Sequence, residues 1–525
     1  MNRSIVVLGD VLLDRDVHGT VTRIAPDAPV PVLDTLRTVE RPGGAGLTAL
    51  LCAAPGIDVT LVAPLAPDEA GRRLEELLVS HVTVVSLEPG GPTRTKTRLR
   101  AAGQSLLRLD EGGPGGPPVA SVGMVEQVLR SADVVLVSDY GAGLTRHPQI
   151  RRLLARAARR LPVIWDPHPR GGEPVPGCLL VTPNLAEAIQ RGEAGETDPV
   201  VLADVLRARW RVRAVCVTTG ADGAYLGQAG NEVLYLPAPV AQGDPCGAGD
   251  RFAASVAVSV SRGRVLSEAV ATAVTEASAW VAAGGAASFR PAPRHAPAGS
   301  VASPGSAGPA GRGVPADQPG QLRRQGPAGQ MGQMGPERAP RWAGEVGPAG
   351  PVTPPESRRE THADHGVLPE GVAQGWPAVE QHVARVRASG GRIVATGGCF
   401  DLLHVGHVSC LQAARRAGDT LVALLNSDTS VRRLKGPGRP VVPQDERAQM
   451  LAAIEGVDAV VIFDEDDPVR ALGRLRPDIW VKGGDYGGVM MPEAALVRSW
   501  GGRVLLLPYL RGRSTTALLE RAGPG

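Results

Sequence analysis

The chain of 525 residues is poor in aromatic residues, cysteines and net charge. Aromatics make up 3% of it, yet hydrophobic residues reach 43%, which is enough to build large α/β cores from Ala, Val and Leu. Its six cysteines are scattered without a Cys-x-x-Cys pair, as is typical of free thiols in a reduced compartment. A formal charge of +3 is small for this length and does not indicate binding to nucleic acid or to an acidic membrane surface.

Long apolar runs are missing as well. No stretch is both apolar and long enough to span a bilayer, and the run before Asp10 is too short for a signal peptide. We therefore expect a cytoplasmic protein with neither a membrane nor a nucleic-acid partner. A chain of this length also exceeds a single hydrophobic core, so two or three domains are expected.

Strand and helix patterns alternate in two regions, residues 1–290 and 376–525. In the first region, buried strand patterns end in carboxylates, at Asp10, Asp139 and Asp166. Carboxylates at strand C-termini lie where open α/β sheets bind their ligands. The alternation over this length predicts a doubly wound sheet. The proline-rich stretch at residues 23–32 cannot be helical and predicts an edge or lid segment.

The main phosphate-binding pattern of the first region is the turn at residues 243–252. Gly247, Ala248 and Gly249 precede a helical run at residues 253–260, so their N–H groups would face a transferring phosphoryl group. Asp250 lies in the first helical turn, where it can take the proton from an attacking hydroxyl. A helix-capping carboxylate is the other interpretation of an aspartate at such a place.

Residues 291–375 differ in composition from both regions. They are rich in Pro, Gly, Ala, Ser, Gln and Arg, with few large apolar residues and no periodicity. Such a segment cannot bury enough apolar surface to offset its ordering entropy, so it predicts a disordered linker. A flexible linker of this length has an end-to-end distance on the order of 50 Å and does not fix how the two domains face each other.

The second region is organised around Gly397–His407. A buried strand pattern at residues 392–396 precedes this stretch and a helical pattern at residues 409–417 follows it. His404 and His407 therefore fall in a strand-to-helix turn, where main-chain N–H groups bind phosphates. Two histidines three residues apart lie on one face and can hold a phosphate, although a metal half-site and simple packing are alternatives.

The first region resembles the ribokinase-like sugar kinases. The likeness rests on the motifs at residues 9–10, 43–44, 184–187, 219–223 and 247–250, and the stretches at 23–32 and 138–140 narrow it to the heptose kinase branch. It implies a ribokinase-like doubly wound domain that uses ATP and Mg²⁺ as its cofactors. The implied roles are Asp250 as base, Gly247, Ala248 and Gly249 as anion hole, Asn184 and Glu187 on the Mg²⁺-phosphate side, Thr219, Gly220 and Gly223 at the nucleotide, and Asp10, Asp14, Gly43, Gly44, Arg108 and Asp139 at the sugar.

The second region resembles the HxGH nucleotidyltransferases, which implies a Rossmann-like domain. The likeness rests on motifs at residues 397–407, 426–428, 432–440, 482–486 and 513–516. It implies that His404, His407 and Lys435 neutralise the α-phosphate of ATP as it becomes five-coordinate. It implies further nucleotide or phosphate contacts at Gly398, Phe400, Asp485, Ser514, Thr515 and Thr516.

Together the two regions resemble the bifunctional heptose-7-phosphate kinase/heptose-1-phosphate adenylyltransferases. This likeness implies phosphorylation of D-glycero-D-manno-heptose 7-phosphate at O1, and adenylyl transfer from ATP to heptose 1-phosphate with release of pyrophosphate. It leaves the metal ligands unassigned, and we also consider a homodimer formed through the kinase domain.

Three positions depart from the family pattern. Leu47 stands where the family has an asparagine expected to hydrogen-bond the sugar, and Ala142 and His168 stand where lysine is usual. Losing such a donor costs about 1–3 kcal/mol through the groups left unpaired. The alternative hypothesis is therefore that only the nucleotidyltransferase is active, on another sugar phosphate or with CTP, while the first domain is a silent sugar-phosphate binder or oligomerisation module.

Overall fold

The protein is described here from a computed structural model that covers residues 2–113, 122–291, 372–483 and 492–508. The strands of the first region are β1 Arg3–Gly9, β2 Val11–Ile24, β3 Pro31–Gly44, β4 Ile57–Pro64, β5 Thr83–Leu87, β6 Thr95–Ala101, β7 Gln104–Glu111, β8 Val134–Ser138, β9 Val163–Asp166, β10 Leu180–Val181, β11 Ala214–Thr218, β12 Gly223–Gln228 and β13 Val233–Pro237. Its helices are α1 Ala45–Cys52, α2 Glu69–Val79, α3 Val122–Arg130, α4 Pro148–Ala157, α5 Leu185–Arg191, α6 Pro199–Trp210, α7 Ala248–Ser261, α8 Leu266–Ala282 and α9 Gly285–Ser288, with 3-10 turns at Leu144–Arg146 and Gly220–Asp222.

The second region repeats the pattern on a smaller scale. Its strands are β14 Ala373–Gln374, β15 Ile393–Gly398, β16 Thr420–Asn426, β17 Ala459–Phe463, β18 Ile479–Gly483 and β19 Arg503–Leu507. Its helices are α10 Gly375–Ala388, α11 Val405–Arg416, α12 Asp428–Lys435, α13 Gln444–Ala452, α14 Val469–Leu475 and α15 Pro492–Ser499. Among the described helices of the chain, none is long and apolar enough to cross a membrane.

The large sheet of the first region is parallel through most of its width. Its order is β13-β12-β11-β10-β9-β8-β1-β4-β5, and only the pairs β11–β12 and β12–β13 are antiparallel. Successive residues of β1 alternate between two cores: Ile5 and Val7 lie in one apolar cluster, Val6 and Leu8 in the other. Helices therefore cover both faces, as parallel sheets require, and the predicted doubly wound architecture is confirmed.

A separate four-stranded sheet has the order β3-β2-β6-β7. The stretch at residues 23–32 forms the tip of its β2–β3 hairpin, where the Ala25 N–H donates to the Val30 carbonyl at 2.9 Å. The prolines lie at this tip because they cannot donate to a sheet ladder. The opposite end of the hairpin, at Gly43 and Gly44, reaches the start of α1.

The sheet of the second region is parallel throughout, in the order β14-β17-β16-β15-β18-β19. This arrangement confirms the predicted Rossmann-like class. Strand β19 also pairs in parallel with β13, so that Val233 lies opposite Leu505 and Leu234 opposite Leu506. The described strands of the two regions thereby join into one 15-stranded sheet.

Two helices begin earlier than their apolar periodicity predicts. Helix α7 starts at Ala248 rather than at residue 253, and α11 starts at Val405 rather than at residue 409. In both cases the first turn includes a glycine and a polar or charged residue, Asp250 in α7 and His407 in α11, which interrupt the apolar pattern. Of the predicted linker, residues 292–371 lie outside the described part of the chain, and β14 and the first residue of α10 occupy its last three positions.

Candidate active sites

The first candidate site lies where a glycine turn enters α7. Gly247 caps this helix with φ of 77°, a left-handed conformation that favours glycine. A Cβ atom at Gly249 would meet no described heavy atom within 4 Å, so the main chain is open to a ligand there. The positive end of the helix dipole and the open main chain at Gly249 suit a phosphate, as the sequence predicts for this turn, whereas the Ala248 N–H donates to the Pro245 carbonyl at 3.0 Å.

Asp250, in the first turn of α7, is buried with only 5% of its surface exposed. Its Oδ1 accepts a hydrogen bond from Thr48 Oγ1 at 2.6 Å, and Tyr140 OH lies 2.8 Å from each carboxylate oxygen. Burial raises the pKa of Asp250 to about 6, against the opposing effect of these two hydroxyls. A buried carboxylate with a pKa near neutrality is suited to general base catalysis, and among the described residues its hydrogen bonds are with the hydroxyls of Thr48 and Tyr140 rather than with N–H groups at the start of α7.

Asp10 and Asp14 border the same site. Asp10 Oδ2 accepts from the N–H groups of Tyr140 and Ala142 at 3.2 and 2.8 Å, while its buried Oδ1 has no hydrogen-bond partner among the described residues. Burial raises the pKa of Asp10. Asp14 pairs with Arg98 at 2.7 Å. Both carboxylates are therefore fixed, and Asp10 keeps one acceptor for a ligand hydroxyl.

Gly43 and Gly44 bring the main chain close to these acids. A Cβ atom at residue 43 would lie 2.3 Å from Asp14 Oδ2, and Gly44 has φ of 59° beside the Tyr140 ring. Neither position accepts a side chain without movement. The glycines predicted to contact sugar are thus required by the close approach of β3 to β2 and to the loop after β8.

Three cations on β6 and immediately before it were not predicted as site residues. Arg94, Lys96 and Arg98 alternate with buried Thr95 and Thr97, which places the three cations on one face of the strand. Arg94 donates to the Tyr140 carbonyl at 2.8 Å, and Lys96 Nζ lies 5.8 Å from the centre of the Tyr140 ring. Burial lowers the pKa of Lys96, opposed by Asp14. The period-2 pattern of charges in the sequence was the signal that could have identified them.

Two predicted sugar contacts are engaged elsewhere. The Asp139 carboxylate accepts from Gly141 N at 2.8 Å and from Thr145 Oγ1 at 2.6 Å, so it orders the loop after β8. Burial raises its pKa to about 6. Arg108, on the exposed strand β7, pairs with Asp110 at 2.9 Å. These contacts are internal to the protein, and a sugar contact by either residue remains a prediction.

The predicted nucleotide residues form two turns after parallel strands. Asn184 and Glu187 make a reciprocal capping box at the start of α5, with both hydrogen bonds at 3.0 Å. Thr219 Oγ1 donates to the Gly223 carbonyl at 3.0 Å and closes the 3-10 turn after β11. A Cβ at Gly220 would meet no described atom within 4 Å, which leaves that turn accessible to a nucleotide.

The second candidate site surrounds the two histidines at the start of α11. His404 is the N-cap, and its Nδ1 accepts from Gly406 N at 3.1 Å, which leaves the proton of the neutral ring on Nε2. The His404 and His407 rings stack with centres 4.0 Å apart. Burial and the neighbouring His404 and Lys435 lower the pKa of His407 to about 4, so this ring is neutral at pH 7.

Buried ion pairs hold this turn in place. Phe400, at φ of 44°, contacts His407 edge to face with ring centres 5.4 Å apart. Asp401 pairs with Arg439 at 2.8 Å and accepts from Val441 N at 2.7 Å, which ties the turn to the loop after Lys435. Arg447 has a fully buried side chain that pairs with Asp428 at 2.6 Å and donates to the Cys399 and Asn426 carbonyls. Its sequence context gave no sign of this role.

A cavity of about 850 Å³ opens in front of the histidines. The predicted residues Gly398, Phe400, His404, His407 and Lys435 line it, together with the unpredicted Lys482. Residues of the first region, including Pro239 and Thr275, line it as well, and Arg416 donates to the Ala238 carbonyl at 3.2 Å. Converging imidazoles and ammonium groups suit a polyphosphate. The predicted contacts Asp485, Ser514, Thr515 and Thr516 lie outside the described residues.

Comparison with known proteins shows which protein family each of the two regions matches. Residues 2–293 match the pfkB family of carbohydrate kinases, and residues 395–499 match the cytidylyltransferase-like family. The chain therefore combines a carbohydrate kinase with a nucleotidyltransferase. It is an enzyme of two transferase classes, as predicted.

Relatives that match nearly the whole chain identify its family more narrowly. It is 45% identical to the bifunctional protein HldE of Streptomyces coelicolor over 99% of this chain and 97% of that protein. It is 36% identical to the bifunctional protein HldE of Alkalilimnicola ehrlichii over 98% of this chain and 96% of that protein. Among solved structures, a ribokinase from Thermotoga maritima aligns with 55% of this chain and 97% of its own, at 22% identity and a TM-score of 0.42. The chain belongs to the HldE family.

Proposed function

We propose that this enzyme makes an ADP-activated heptose in two steps. The kinase region transfers the γ-phosphoryl group of ATP to O1 of D-glycero-D-manno-heptose 7-phosphate. The nucleotidyltransferase region then joins AMP from ATP to heptose 1-phosphate, after another enzyme has removed the 7-phosphate. The observation that carries the proposal is the buried carboxylate of Asp250 beside the glycine turn into α7, whose main chain is open at Gly249. The six free cysteines of the chain agree with a cytoplasmic location.

In the kinase step, Asp250 accepts the proton of the sugar hydroxyl while the oxygen of that hydroxyl attacks the γ-phosphorus of ATP and ADP leaves. The amides of Gly247 and Gly249 stabilise the charge on the transferring group, since the Ala248 N–H donates to the Pro245 carbonyl. Asp10 accepts a hydrogen bond from a sugar hydroxyl through its buried Oδ1, which has no partner among the described residues. Arg94 and Lys96 face the same site and suit the phosphate that the sugar carries.

Mg²⁺ is the metal that ATP brings to such a site. Burial raises the pKa of Asp166 well above its usual value, and the nearby carboxylates of Asp250 and Glu187 raise it further. Concentrated negative charge of this kind fits a cation, although no group of three or more potential ligands occurs among the described residues. Glu187, with Asn184, would hold the metal on the phosphate side. Bound Mg²⁺ would offset the charge of the transferring phosphoryl group.

In the nucleotidyl step, the sugar phosphate itself is the nucleophile. An oxygen of heptose 1-phosphate attacks the α-phosphorus of ATP and pyrophosphate leaves, so no protein nucleophile is required. His404, His407 and Lys435 line the cavity and donate hydrogen bonds to the oxygens of the five-coordinate phosphorus. Neutral His407 does so as a hydrogen-bond donor rather than as a full charge.

We expect two separable products when the sugars are offered one at a time. Heptose 7-phosphate with ATP and Mg²⁺ is expected to yield ADP and a bisphosphate, and heptose 1-phosphate with ATP to yield pyrophosphate and ADP-heptose. Mass spectrometry of the sugar products and a coupled pyrophosphate assay measure the two reactions. No pyrophosphate from heptose 1-phosphate with any nucleotide would contradict the proposal.

One alternative has support in the chain. Leu47 replaces a hydrogen-bonding residue, which favours a silent kinase region, and the match of residues 395–499 is to cytidylyltransferase-like proteins. Offering CTP beside ATP, and other sugar phosphates beside heptose 1-phosphate, separates this alternative from the main proposal. Pyrophosphate release without any bisphosphate from heptose 7-phosphate would favour it.

We further propose that the enzyme is a homodimer joined through the four-stranded sheet. Large apolar side chains are exposed there: Ile24 at 59%, Leu36 at 73% and Leu107 at 52%. Light scattering after size exclusion is expected to give twice the chain mass of 54.4 kDa. Leu36→Asp should shift the protein to monomer, whereas Val240→Asp should not, because Val240 is 90% exposed outside this sheet. A monomeric wild type would contradict this proposal.

A further inference from the structure

Thr48 lies in the core of the kinase region with a polar group that packing alone does not require. Its side chain is fully buried on α1. Thr48 Oγ1 lies 2.6 Å from Asp250 Oδ1, 3.1 Å from Ser138 Oγ and 3.2 Å from the Gly44 carbonyl. Three oxygens therefore surround one hydroxyl, and the shortest of the three distances leads to Asp250.

A threonine hydroxyl has one proton to donate. Asp250 is the charged acceptor and the nearest one, so the Thr48 hydroxyl donates its hydrogen bond to Oδ1 of Asp250. The longer hydrogen bond to the Gly44 carbonyl is at most a minor alternative. Ser138 Oγ is then free to donate to Thr48 Oγ1. The result is a directed chain of hydrogen bonds from the end of β8, through α1, to the carboxylate on α7.

Tyr140 completes the environment of Asp250. Its OH is 2.8 Å from both carboxylate oxygens, and burial keeps its pKa well above 10, so it remains a donor. Oδ1 thus accepts a hydrogen bond from Thr48 and shares the Tyr140 hydroxyl with Oδ2. Among the described residues, Tyr140 is the one donor to Oδ2. Oδ2 is the oxygen with capacity left for a sugar proton.

We propose that Thr48 is a positioning residue for phosphoryl transfer: it occupies Oδ1 of Asp250, fixes the plane of the carboxylate, and directs Oδ2 to the attacking hydroxyl. This inference rests on the proposed kinase activity. The neighbouring Leu47 packs against the glycine turn, since its Cδ2 lies 3.0 Å from where a Cβ of residue 247 would be.

Several charged groups face Asp250 and act together with Thr48. Asp14 on β2 and Asp166 at the end of β9 are like charges, whereas Lys96 on β6 is an opposite charge. Tyr140 faces it from the loop after β8. Hydrogen bonds to the ionised form lower a carboxylate pKa, so removing Thr48 raises that of Asp250 above about 6.

The experiment compares Thr48→Val, Thr48→Ser and Thr272→Val in the full chain. Valine keeps the shape of threonine without its hydroxyl, and serine restores the hydroxyl. Thr272 is the matched control, because its Oγ1 also donates to the carbonyl four residues earlier, at 2.9 Å, but it does not contact Asp250. The readouts are the pH dependence of kcat/KM for the kinase reaction, the nucleotidyl transfer rate and the melting temperature.

We expect Thr48→Val to move the acid limb of the kinase profile to higher pH by about one unit and to lower kcat/KM about 5-fold near pH 6. Thr48→Ser should restore the profile, and Thr272→Val should not change it. A Thr48→Val enzyme with the wild-type profile would overturn the inference, as would one in which both reactions and the melting temperature fall together. A wild type without kinase turnover would instead overturn the proposed function itself.

Discussion

Asp250→Asn is expected to lower kinase turnover by about 10²–10⁴-fold, the usual range for loss of a general base. Asparagine keeps the size of the side chain but cannot take the proton of the sugar hydroxyl. ADP release with heptose 7-phosphate measures the effect. Since Asp250 has a pKa of about 6, the wild-type kcat/KM should also fall as the pH drops through this value, and that limb should be missing from the residual activity of the variant.

Nucleotidyl transfer by the same Asp250→Asn protein is the internal control, because Asp250 does not line the second cavity. Stability gives a second control. A carboxyl whose folded pKa is raised binds more protons than in the unfolded chain between about pH 4 and pH 6, so ionised Asp250 destabilises the fold at pH 7. The melting temperature of the variant at pH 7 should not be lower. Equal kinase turnover in variant and wild type would contradict the assignment.

The glycine turns could be located from the sequence because their chemistry is local. A strand pattern followed by glycines and a helix pattern predicts where main-chain N–H groups are exposed, and Gly247 and His404 lie at such helix starts. The doubly wound sheet follows from the alternation of strands and helices, whereas the Rossmann-like class was implied by the resemblance to the HxGH nucleotidyltransferases. The helix starts themselves were predicted too late, since glycine and polar residues interrupt the hydrophobic periodicity there.

Contacts between distant segments could not be predicted in this way. Thr48 and Asp250 are 202 positions apart, and no local pattern links a threonine on α1 with an acid on α7. The sequence around Arg447 predicts an exposed arginine on an amphipathic helix, yet its side chain is fully buried and pairs with Asp428. The pairing of β13 with β19 depends on two exposed strand edges that match, which neither strand encodes alone.

The departures from the family pattern also depend on three-dimensional context. Leu47 suggested a weakened kinase, but it is buried in the apolar cluster that also contains Phe252 and Trp280. Thr48 meanwhile supplies a hydroxyl to the base. Ala142, expected as lysine, donates its N–H to Asp10, a contact that any residue except proline can make. These contacts favour an active kinase.

His407→Ala is expected to lower kcat for nucleotidyl transfer by about 10²–10³-fold, the range for removing one donor to a developing negative charge. Pyrophosphate release with ATP and heptose 1-phosphate measures it, and kinase turnover should be unchanged. Since the pKa of His407 is lowered to about 4, the free enzyme should keep its kcat/KM as the pH falls from 7 toward 5. A histidine with the ordinary pKa near 6.5 would instead change its charge within that range.

Lys435 and Arg432 provide the matched contrast for this second site. Both are basic residues in the last turn of α12, but only Lys435 lines the cavity. If the site stabilises a five-coordinate phosphorus, Lys435→Ala should share the loss in kcat with His407→Ala, while Arg432→Ala retains wild-type turnover. Equal, small effects of all three substitutions would mean that the paired imidazoles are packed structurally, and the nucleotidyltransferase chemistry would have to lie elsewhere in the chain.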